Sequence, residues 1–113
     1  MVNKAHSAVV RRIKVRYGGV SGEALGIDIV TESLRIEVET SATLESGIER
    51  LSAIDGIRYV AVTNKEAIPD ALRIVDGTGI GVMDSYGNVL VPAKGANEAQ
   101  NGPSEDRFDA GGA

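Results

Sequence analysis

The chain has 113 residues, of which 42% are apolar, 25% charged and only 4% aromatic, so it is read as one domain with an aliphatic core. It has no cysteine and one histidine, which excludes disulfides, cysteine metal sites and multi-histidine zinc sites, and one Phe with three Tyr argues against an aromatic platform for single-stranded bases. The formal net charge of −4 is unevenly spread: residues 1–17 carry Lys4, Arg11, Arg12, Lys14 and Arg16 with no acid, a local +5 on an otherwise acidic body. No segment has the apolar length of a membrane span and no signal-peptide core is visible, so a cytoplasmic location is expected.

Residues 4–13 place Ala5, Ala8, Val9 and Arg12 at helical spacing, and His6 within them is read as a bystander. Residues 13–17, IKVRY, alternate and predict a first strand, followed by a glycine-rich turn at 18–22. GIDIVTESLRIEVET, residues 26–40, predicts two strands joined at Glu32-Ser33. Pairing Thr31 with Leu34 sets Ile29 against Ile36 and Ile27 against Val38 on an apolar face. The same register sets Asp28 against Glu37 on the other face, with Glu39 two residues beyond.

A helix follows over 43–54, with Leu44, Ile48, Leu51 and Ile54 as its stripe and Ser41 or Thr43 as its cap. Residues 57–63, IRYVAVT, have the continuous apolar middle of a strand buried on both sides. Pro69 opens a further helix with Ile68, Leu72 and Val75 inward. Residues 80–84 and the short VLVP close the ordered part, and strand–helix–strand connections of this kind imply parallel pairing. The domain is expected to span 1–94, with 95–113 a disordered tail rich in Gly and acids in which Phe108 is the one candidate anchor. DGTGIG at 76–81 sits between helix and strand, the wrong order for a dinucleotide loop.

The order helix, three strands, helix, strand, helix, strand (αβββαβαβ), with Asp28 followed by Glu37-Val38-Glu39 on neighbouring strands, resembles the PD-(D/E)xK superfamily of restriction-endonuclease-like and Holliday-junction-resolvase-like nucleases. The resemblance covers about residues 4–91. It implies an α/β fold with a mixed sheet and flanking helices, a magnesium or manganese ion held by Asp28, Glu37 and the Val38 carbonyl, and cleavage of DNA or RNA phosphodiesters. Glu39 then joins the catalytic set as base or as ligand to a second ion, and a homodimer is implied where two strands are cut. The chain departs from the family in lacking the proline before Ile27-Asp28 and in carrying Glu39 at the lysine position. The second departure also fits a member that kept the fold, lost the reaction, and serves a structural, nucleic-acid-binding or protein-binding role.

The carboxylates support the first reading on their own chemistry. Hard divalent cations take oxygen ligands, and two carboxylates held close raise one another's pKa unless a cation neutralises them. Arg11, Arg12, Lys14 and Arg16 are the expected phosphate contacts. Lys65 is a candidate substitute for the missing lysine or a solvated turn residue, and Glu23 is read as solvated. Arg35 is the expected salt-bridge partner of Glu37 if the cluster is only a wet face of a small α/β interaction domain.

Overall fold

The computed structural model describes residues 4–96. In chain order it contains α1 (Lys4–Tyr17), β1 (Val20–Gly22), a 3-10 turn (Glu23–Leu25), β2 (Ile27–Val30), β3 (Leu34–Glu39), α2 (Leu44–Ser52) and β4 (Ile57–Val62). A second 3-10 turn (Lys65–Ala67), α3 (Ile68–Val75), β5 (Gly81–Met83) and β6 (Val89–Val91) complete it. The fold is α/β: three helices on one mixed, six-stranded sheet whose spatial order is β1-β2-β3-β4-β5-β6. The β3–β4 and β4–β5 pairs are parallel and the other pairs antiparallel.

Two apolar layers sandwich the sheet. Val9 and Ile13 of α1 pack with Ile29, Ile36, Val38, Tyr59, Ala61 and Met83. On the other face, Leu44, Ile48 and Leu51 of α2 and Ala71 and Val75 of α3 pack with Val60, Val62 and Val82. β4 lies between the layers, and its residues 59–62 are fully buried as the continuous apolar run predicts. Both crossover helices therefore share one face, and α1 covers the other. Arg58 braces the end of α2 and the turn after it by donating to the carbonyls of Leu51 and Ile54.

Several expectations are corrected. Residues 13–17 continue α1 instead of forming a strand: Ile13 and Tyr17 are one helical turn apart and both meet the core, while Val15 between them is 79% exposed. The helix stops at Gly18, whose φ of 71° suits only glycine without cost and whose N–H returns to the Lys14 carbonyl. The first strand lies instead in the expected turn. A Cβ on Gly19 would sit 2.5 Å from Ile29 Cγ2, so glycine there permits the close approach of this edge to β2. In α3, Ala71 faces inward and Leu72 is 39% exposed. In α2, Thr43 stands at the N-cap, but its hydroxyl accepts from the Thr40 N–H instead of capping the helix.

The β2–β3 register is the expected one, with Ile29 opposite Ile36 and Val30 opposite Arg35. Ile27 does not share the face of Ile29. Between the pairs Val20–Val30 and Gly22–Ile27, β2 uses one residue more than β1, and this irregularity turns Ile27 into the α2–α3 layer. At the far end, packing continues past the expected boundary: Ala93 and Ala96 are buried in the α1 layer. The Tyr59 hydroxyl and the Ala93 N–H are hydrogen-bonded at 3.2 Å, tying that segment to β4. The rest of the expected tail, Phe108 included, lies outside the described residues.

Candidate metal centre

The β2–β3 register brings Asp28 and Glu37 near one another, and side-chain bonds to the facing backbone hold them there. Beyond Ile29–Ile36 the β2–β3 ladder ends. Carboxylates take over its hydrogen bonds there: the Asp28 N–H donates to Glu37 Oε1 at 3.0 Å, and the Val38 N–H donates to Asp28 Oδ2 at 2.9 Å. Buried backbone donors need partners, so the same bonds that satisfy the parted strands fix both acids. Glu39, two residues along β3, completes the group. Carboxylate oxygens of Asp28, Glu37 and Glu39 lie within 4.8 Å of one another.

Two nitrogen-bearing side chains of this chain reach the cluster from opposite sides of the sheet. Arg50 of α2 donates from Nε to Glu37 Oε2 at 2.5 Å and from a terminal amine to Glu39 Oε2 at 2.8 Å. His6 of α1 lies with Nε2 3.2 Å from Asp28 Oδ2. Glu37 and Glu39 are buried, whereas the side chain of Arg50 is 47% exposed and that of Asp28 26%. The acids form the floor of the site, and the guanidinium lies over them facing water. Gly47, one turn before Arg50, makes this possible, because a Cβ there would overlap the Glu39 carboxylate.

Burial sets the electrostatics. It pushes the Glu37 carboxyl up to about 7, against the opposing pull of Arg50 and the Asp28 N–H and with help from the neighbouring Asp28 charge. Burial likewise raises Glu39, against the Thr43 hydroxyl, Arg50 and His6. Its bonds to Glu37 hold the Arg50 guanidinium firmly charged. Three converging carboxylate oxygens are the hard donors that magnesium and manganese accept. The donor set fits a small divalent ion once Arg50 yields its place.

No protein-family model, curated protein or solved structure matches the chain. The site is read from its own chemistry.

The remaining expected residues fall elsewhere. Arg12, Lys14 and Arg16 lie towards the far end of α1, Arg16 about 15 Å along the axis from His6 at the usual rise per residue. Arg12 donates to the Ser85 carbonyl, and Arg16 to the Tyr86 carbonyl and Asn88 Oδ1. Lys14 donates to Ser21 Oγ, and Arg11 is exposed. Two of the four thus brace the β5–β6 turn. Arg35 donates to the carbonyls of Thr31 and Leu34 and does not pair with Glu37. Glu23 is exposed, as read, and Lys65 lies beside the β5–β6 turn. Sequence reasoning missed Arg50 and misread His6. Gly47-x-x-Arg50 within a helix was the available signal: a mid-helix glycine costs stability unless something approaches it closely, and Arg50 follows one turn later.

Proposed function

We propose that the chain is a small metal-dependent nuclease-like protein of restriction-endonuclease-like fold, acting on DNA or RNA phosphodiesters with magnesium or manganese at Asp28, Glu37 and Glu39. The convergence of these three carboxylates at a parted strand pair carries the reading. A divalent ion bound there supplies Lewis-acid polarisation of the phosphate and a more acidic water. Asp28 and Glu37, each held by the other strand's backbone, would hold the ion together with the Val38 carbonyl. Glu39 stands where the resembling family has lysine. Burial raises its pKa, the direction in which a general base becomes stronger. Arg50 neutralises the buried acids and would have to give up its place to a bound ion, and nearly half of its side chain already lies in solvent. The cations at the far end of α1 meet flanking phosphates, and a homodimer brings two such sites to a duplex.

Arg50 also favours a second reading. A guanidinium bound to both Glu37 and Glu39 already supplies the counter-charge, as a fold that has given up catalysis for a structural or binding role would need. Thermal unfolding in magnesium or manganese separates the two. The metal reading predicts stabilisation of about 2.7 kcal/mol at a hundred times the dissociation constant, lost in Glu37→Gln. The second predicts the same melting temperature with and without metal.

A further inference from the structure

A groove of about 310 Å³ opens beside the carboxyl ends of β4 and β5, lined by Val62, Asn64, Lys65, Ile68, Tyr86 and Leu90 among others. It belongs to the same end of the sheet as the carboxylates. Glu39 pairs with Val62, and Ala61 with Met83, so Glu39, Val62 and Asp84 form one row across β3, β4 and the end of β5. At about 4.8 Å per strand the Asp84 backbone lies about 10 Å from that of Glu39.

Tyr86 is the most exposed aromatic among the described residues, at 60%, yet its surroundings are tightly built. The Tyr86 and Asn88 N–H groups both donate to Asp84 Oδ1, Arg16 holds the Tyr86 carbonyl, and the Tyr17 hydroxyl donates to the Gly87 carbonyl. Arg12 stacks over the ring at 4.5 Å from its centroid. A large ring presented to water on a braced turn, with a cation on it, is prepared for a planar partner at little ordering cost. Lys65 is exposed on the groove's wall, and its ammonium makes no hydrogen bond or ion pair among the described residues. The one acid in the lining, Asp84, spends its oxygens on Tyr86 and Asn88. The lining therefore combines an apolar floor, one open aromatic face and uncommitted positive charge.

We propose that this groove is a subsite for one unpaired nucleobase, stacked on Tyr86 with its phosphate beside Lys65, at the same end of the sheet as the carboxylates. The proposal rests on the nucleic-acid reading above. One tyrosine is not the several-ring platform that the composition argues against; it holds one base.

Binding of labelled oligothymidylate and oligouridylate is measured by fluorescence anisotropy in chelator, where no metal contributes. Tyr86→Ala weakens binding by about 5- to 150-fold, the range for loss of one stacked base, and Tyr86→Phe binds like wild type. Lys65→Ala lowers the slope of log affinity against log salt by about 0.7, one phosphate contact on a single strand. Duplex of the same length is insensitive to Tyr86→Ala. Equal binding by Tyr86→Ala and wild type, a Phe variant as weak as the Ala variant, or no binding of either single strand by the wild type would overturn the subsite. Cleavage is scored separately in magnesium. Tyr86-dependent binding without cleavage removes the nuclease reading and keeps the subsite, whereas Glu37-dependent cleavage indifferent to Tyr86 does the reverse.

Discussion

Glu37 is where the fold and the proposed chemistry compete most directly, since its charge is useful to a metal and costly to the core. A carboxyl raised from 4.5 to about 7 on folding contributes stability that is complete below pH 4.5 and is lost as pH rises through 7. Without metal, the protein should therefore melt at a lower temperature at pH 8 than at pH 5, and Glu37→Gln should flatten that slope. Calorimetry across the range checks it, and the slope cannot exceed about 1.4 kcal/mol per pH unit per group. Metal affinity should run the other way, strengthening with pH up to about 7 as the proton leaves. Arg50→Ala leaves two buried acids without their guanidinium and should cost about 3–5 kcal/mol at pH 8, less at pH 5, where Glu37 is protonated. Under the metal reading, magnesium restores most of that loss. The acids themselves were legible, because strand alternation and one consistent register put Asp28, Glu37 and Glu39 together. Arg50 and His6 were not, since which helix faces which side of a sheet is settled by tertiary packing and leaves no local pattern.

Elements were legible where a single period explains them. The continuous run of β4 and the stripe of α2 predict their own burial. Residues 13–17 were ambiguous in principle: Ile13 and Tyr17 satisfy both a two-residue and a four-residue spacing, and only the exposure of Val15 separates helix from strand. The added turn of α1 carries Arg16 and Tyr17 to the β5–β6 turn. Tyr17→Phe should thus destabilise by about 1 kcal/mol, one hydrogen bond's worth, and should speed amide exchange at Gly87 and its neighbours, which hydrogen-exchange mass spectrometry resolves. The reversal of Ile27 was hidden for a different reason, because a bulge belongs to a pair of strands and leaves no mark on either alone. In α2, Gly47→Ala gains helix propensity of about 1 kcal/mol but drives a methyl into Glu39. Net destabilisation of about 1–3 kcal/mol is expected from such overpacking, and denaturant unfolding measures it.

Across the whole molecule, the acidic cluster and the Tyr86 groove lie at one end of the sheet. The parallel strands β3, β4 and β5 end together. The acids lie at one side of this end and the Tyr86 groove at the other. The expected tail was only partly legible, because Ala93 and Ala96 are small residues whose burial depends on Tyr59 and α1 rather than on any pattern of their own. Among the described residues, no helix is long and apolar enough to cross a membrane. The central claim is that the carboxylates hold a metal that cuts phosphodiesters. Its most direct test is incubation of labelled single- and double-stranded DNA and RNA with the purified chain in manganese, beside Glu37→Gln. The account predicts cleavage products from the wild type on at least one of these substrates, none in chelator, and none from the variant. Intact substrates throughout, or equal cleavage by the variant, would contradict it.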